Sequence, residues 1–119
     1  MGLPAYDGSV AYDEELAARI RDLVGSDAGT VEQKMFGGLA FLIGGNMAVA
    51  ASGQGGLLVR VDPEESSTLV ETTPAYNMVM RGRPMDGWLR VDDAELVAEP
   101  ALDEWVGRGV AYARSLPPK

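Results

Sequence analysis

The chain has no cysteine and no histidine among its 119 residues. The first absence excludes disulfides and thiolate metal sites. The second removes imidazole ligands and the commonest general base, so Ser66, Ser67 and Thr68 have no histidine to activate them and a nucleophilic triad of the usual kind is excluded. Hard cations held by carboxylates remain the only all-protein metal option. No apolar run approaches the ~18 residues that a membrane span needs. The segment from Met1 to Val10 carries Asp7 and lacks both the basic cluster and the apolar stretch of a secretory signal. A cytoplasmic protein without a membrane partner is the expectation.

What is present is ordinary globular usage, with 46% hydrophobic and 24% charged residues, over a length that suits one domain spanning residues 1–119. The net charge of −8 is unevenly placed. Residues 1–33 hold seven acids against two bases and residues 91–119 hold six against three, whereas the middle balances five against five. The flanks repel nucleic acid at long range, while Lys34, Arg60, Arg81, Arg83 and Arg90 leave room for a local basic patch.

Asp13 is placed to cap a first helix, with Glu14 and Glu15 in the first turn. Leu16, Ile20 and Leu23 then recur at helical spacing as far as Gly25. Glu15 and Arg19 form an i,i+4 pair on the wet side. From Val31 the pattern changes to apolar runs broken by glycine pairs, and strands are expected at about 31–36, 39–43, 46–52 and 57–61. Gly44-Gly45 suits a two-residue hairpin, which makes the sheet antiparallel. Asp62-Pro63-Glu64-Glu65 predicts a short helix over about 63–71, followed by strands at about 77–82 and 87–91. The last helix begins near Pro100 and presents Leu102, Trp105, Val106, Gly109, Ala113 and Leu116 on one face before Pro117-Pro118 stops it. Gly109 weakens that helix unless it packs closely on the sheet.

Alternation across strands sorts the side chains into two sets. Val31, Gln33, Met35, Leu39, Phe41, Ile43, Met47, Val49, Ala51, Leu57, Val59, Val61, Met78, Met80, Leu89 and Val91 are expected beneath the helices. The opposite parity gathers Lys34, Phe36, Leu58, Arg60, Val79, Arg81, Trp88 and Arg90, with Arg83 just beyond a strand end. A face that mixes guanidinium groups with rings and aliphatics has three uses. The leading expectation is a homodimer through this face or another protein interface; the alternatives are a solvated face whose arginine stems cover apolar neighbours and a surface for nucleic acid or another anion. The net charge disfavours the last.

The glycine pairs are hairpin chemistry and not a phosphate loop: Gly37-Gly38 has no Gly-Lys-Ser/Thr after it, and Gly53-Gln54-Gly55-Gly56 leads into a strand instead of a helix. Asp92-Asp93-Ala94-Glu95 reads as a cap and offers too few oxygens for a cation site. The methionines read as adaptable filler, and nothing supports Lys34 as a catalytic amine. No catalytic, cofactor-binding or metal-ligating residue is therefore assigned.

Lys34-Met35-Phe36-Gly37-Gly38, the following Phe41, Gly45-Asn46-Met47, Leu57-Leu58-Val59-Arg60-Val61-Asp62 and Trp105 together resemble the N-terminal domain of TfoX/Sxy-type competence regulators, over roughly residues 12–116. The resemblance implies an α+β, two-layer α/β sandwich of the secretion-chaperone-like kind. Its antiparallel sheet of five to six strands would carry helices on one face. It implies a non-enzymatic interaction or regulatory module linked to competence or transcription, without a cofactor. The helical second domain of full-length relatives has no counterpart in these residues.

Overall fold

A computed structural model describes residues 12–25, 29–35 and 37–119. Helix α1 (Glu14–Val24) begins where the Asp13 carboxylate accepts from the backbone N–H groups of Glu15 and Leu16, at 2.9 and 3.2 Å. It buries Leu16, Ala17, Ile20 and Val24, while Leu23 stays exposed. Strands β1 (Thr30–Met35), β2 (Gly38–Ile43), β3 (Asn46–Ala51) and β4 (Leu57–Arg60) follow. Gly44 and Gly45 both adopt positive φ, 60° and 85°, in the two-residue β2–β3 turn, a conformation that side chains resist. Asp62 caps a 3-10 turn over Pro63–Glu65 that runs into α2 (Ser66–Thr72). Strands β5 (Tyr76–Met80) and β6 (Arg83–Val91) and helix α3 (Glu99–Ser115) complete the chain.

All six strands pair antiparallel in the order β1-β2-β3-β4-β6-β5, so β1 and β5 are the edges. The α+β sandwich is as expected. One face of the sheet packs Phe41, Val49, Ala51, Leu57, Val59, Leu89 and Val91 against Leu16 and Ile20 of α1 and Leu102, Trp105 and Val106 of α3. Leu69 and Ala75 close one side of this core. Arg19 is not the partner of Glu15. Its guanidinium reaches across to Glu99 and donates to the Leu96 carbonyl at 2.7 Å, which ties α1 to the start of α3. No helix among the described residues is long and apolar enough to cross a membrane.

Three features of register overturn part of the expected parity. The turn at Gly37 pairs Lys34 with Leu39 and Gln33 with Ala40, so Val31, Gln33 and Met35 lie on the face away from the helices and Lys34 takes the opposite parity. In β3 the pairing steps from Phe41↔Val49 to Leu42↔Met47, which leaves Ala48 as an extra residue. Ala48 then packs with Ile43 and Ala113 on the helix side, and Met47 turns to the other face with Ala40, Ala50 and Leu58. In β6 the pairing steps from Asn77↔Leu89 to Met78↔Met85, so Asp86, Gly87 and Trp88 bulge outward between them. Met78 is thereby packed on the uncovered face instead of beneath the helices, and Met80, opposite Arg83, shares its parity.

Candidate functional site

Among the described residues, the helices cover one face of the sheet and leave the other bare. That bare face is not a polar one. Ala40, Met47, Ala50 and Leu58 form a buried cluster on it, with Met35, Leu42, Met78 and Trp88 packed around them half-buried. The surface is hollowed into two grooves of about 430 and 410 Å³ that share Met35, Met47, Leu58 and Met78, and so make one trough. Five methionines, Met35, Met47, Met78, Met80 and Met85, line the half that also holds Trp88.

The residues expected on this face separate into three groups. Leu58, Arg60, Trp88 and Arg90 are where alternation puts them, since Leu58 pairs with Arg90 and Arg60 with Trp88. Arg83 joins them, because its partner is Met80. Lys34 is on the other parity, and Val79, opposite Pro84, also takes the other parity although it still borders the trough at the β5 edge. Arg81 sits in the β5–β6 turn with a φ of 54° and is exposed, so it is not a strand residue of this face. Phe36 lies outside the described residues. Of the turn residues, Gly38 and Gly45 border the trough, and a β-carbon on Gly38 would stand 2.3 Å from the Ala51 carbonyl oxygen.

Arg60 and Arg90 have different surroundings. Arg90 donates to Gln54 Oε1 at 2.9 Å, the Gly55 carbonyl at 3.0 Å and Ser52 Oγ at 3.3 Å, so its guanidinium is spent on holding the β3–β4 loop at one end of the trough. The Arg60 guanidinium carbon lies 5.0 Å from the ring centroid of Trp88 and 5.6 Å from that of Tyr112, near the end of α3. Both distances are within cation–π range. The guanidinium makes no hydrogen bond or ion pair to any described residue, and its N–H edges are unspent.

No described Asp or Glu lines either groove, in a chain with 18 acidic residues against 10 basic ones. The carboxylate of Glu32 belongs to the other side of β1, where it takes a bidentate contact from Arg21. That hydrogen bond holds the Glu32 carboxyl below the usual carboxylate range. Asp92 faces the β5 edge and accepts from the Tyr76 hydroxyl at 2.6 Å. Among the described residues, no group of three or more acidic side chains is arranged to hold a metal ion. What the trough offers is apolar contact area, the amide groups of Gln33, Gln54 and Asn77, and the cations of Arg60 and Lys119.

The methionine lining is not visible in the sequence because alternation assigns Met35, Met47, Met78 and Met80 to the core and leaves Met85 unplaced. A glycine inside a strand pattern, Gly87, was the one signal of the β6 bulge. Nothing in the sequence marks the Ala48 bulge.

A family model described as the TfoX N-terminal domain matches residues 22–113. No curated protein and no solved structure matches the chain.

Proposed function

The chain belongs to the TfoX N-terminal domain family, and we propose that it is a non-enzymatic regulatory interaction module whose uncovered sheet face receives a protein partner. One observation carries this reading: a six-stranded sheet with helices on one side leaves a trough lined by five methionines, Leu42, Leu58 and Trp88 open to water. Apolar hollows of this extent mark interaction sites on folded proteins. Methionine, tryptophan and arginine are the residue types enriched at interfaces. The proposal includes a cytoplasmic setting and, following the family, a role in regulating competence or transcription through the partner.

Two narrower readings have less support. Homodimerisation through this face would bury two copies of Arg60 with no described Asp or Glu of the trough to pair either of them. A nucleic-acid surface wants a row of free cations, and of the five expected here Arg90 is committed to a loop while Lys34 is on the other parity.

The test is photocrosslinking in the native host, with a benzophenone amino acid placed at Met80 on the trough or at the exposed Val97 far from it. Specific protein adducts from position 80 and none from position 97 are expected. Equal or absent labelling at the two positions overturns the proposal.

A further inference from the structure

Resting on that reading, we propose that the occupant of the trough is an acidic amphipathic segment of a partner protein, with apolar anchors seated among the methionines and a carboxylate docked on Arg60. Charge supplies the first argument. In a chain of net charge −8 no described Asp or Glu lines this hollow, which keeps the cations of Arg60 and Lys119. A wholly apolar occupant would desolvate Arg60 without compensation, and a basic one would add repulsion.

The geometry of Arg60 supplies the second argument. With Trp88 at 5.0 Å and Tyr112 at 5.6 Å, the guanidinium is positioned by two ring contacts before any ligand arrives. It lies over the two rings and its N–H fork has no described acceptor, and a planar fork of that kind is what a carboxylate takes in a bidentate pair. The third argument is the lining itself. Unbranched, polarizable methionines re-pack around anchors of differing shape, which suits a peptide face better than a rigid small-molecule pocket. The trough runs along strands of about six residues, so its length is about 20 Å, a span that an amphipathic helix covers in under four turns.

The experiment uses the full chain with 13C-labelled methionine methyls. It is titrated with a synthetic peptide of about 18 residues bearing leucines at i, i+3, i+4 and i+7 and glutamates on the other face. The same peptide with lysine for glutamate and a pattern-scrambled glutamate peptide serve as comparisons. The glutamate peptide is expected to shift the methyls of Met35, Met47, Met78, Met80 and Met85, with affinity that falls as salt rises. Arg60→Gln should weaken it about tenfold and Arg60→Lys by less, because a point charge remains without the fork. The thermal transition of each variant is recorded to confirm folding.

The overall charge of −8 attracts the lysine peptide to the molecule as a whole, so a preference of the trough for glutamate cannot come from the net field. Equal or stronger shifts of the same methyls by the lysine peptide, equal binding of the scrambled peptide, or indifference to folded Arg60→Gln each overturn the proposal. Dodecyl phosphate shifting these methyls where the glutamate peptide does not also overturns it in favour of a lipid-like ligand. If position 80 still crosslinks a protein after such a result, only the identity of the occupant has failed. If it does not, the recognition role has failed as well.

Discussion

Gly109 of α3 lies directly on the Ala48 bulge of β3: a β-carbon on Gly109 would stand 2.4 Å from the Ala48 carbonyl oxygen and 2.7 Å from Val49 Cγ1. The helix comes this close because the residue has no side chain. Gly107, two residues earlier, has nothing within 4 Å of such a carbon.

These two glycines therefore respond in opposite directions to alanine. Gly109→Ala pushes α3 off the sheet and is expected to cost about 1–3 kcal/mol. Gly107→Ala removes only helix-weakening backbone freedom and should gain about 0.5–1 kcal/mol. Urea unfolding of the two variants beside the parent chain measures both. Equal effects of the same sign would mean that α3 does not rest on Ala48.

Ser66 is 2% exposed, and its Oγ accepts from the Gly87 N–H at the β6 bulge. Ser66→Ala leaves that buried donor unpaired, with an expected loss of about 1–3 kcal/mol. Ser67→Ala, on the exposed neighbour, should change stability by under about 0.5 kcal/mol. Denaturant midpoints of the pair separate the bond from generic effects of a serine in α2.

Arg90 holds Ser52, Gln54 and Gly55, so Arg90→Ala is expected to loosen the β3–β4 loop while β4 and β6 stay paired. Amide exchange at residues 53–56 should quicken by an order of magnitude or more, with a global cost of about 1.5–3 kcal/mol for bonds to a charged donor. Unchanged exchange there would show that the loop is held by its own backbone bonds.

The Arg21–Glu32 pair joins α1 to β1 at the surface, and both side chains are more than a third exposed or close to it. Because the Glu32 pKa is lowered on folding from 4.5, its stabilisation is present above that value and is lost as pH falls through the lower folded value. Solvent screening keeps the contribution within about 0.2–1 kcal/mol. Glu32→Gln should therefore be slightly less stable than the parent chain at pH 7, and the difference should vanish once the pH has fallen below the lowered folded value. A difference that grows on acidification would contradict the pairing.

Element type, strand order of the hairpins and the buried half of the molecule were legible in the sequence, because helical spacing in α1 and α3 and the glycine turns act locally. Leu58, Arg60, Trp88 and Arg90 were placed on their true face because β4 and the last four residues of β6 run without interruption. Beyond a bulge, alternation inverts, and no local rule reports that one residue has been left unpaired. This is why Met47 and Met78 lie on the side opposite to expectation and why Val79 takes the other parity, whereas for Lys34 the register of the turn at Gly37 decides. The partnering of Arg90 with a loop and of Arg60 with Trp88 and Tyr112 depends on contacts between distant segments, which composition and spacing do not carry.

The segment after α3 folds back on the β2–β3 turn, where Asn46 donates to the Pro117 carbonyl at 3.0 Å and the Lys119 N–H to that of Gly44 at 2.8 Å. Lys119 also borders the trough. Any polypeptide fused behind residue 119 would thus start at the lip of the hollow, so an affinity handle or reporter attached there would stand in the doorway that an arriving segment has to use.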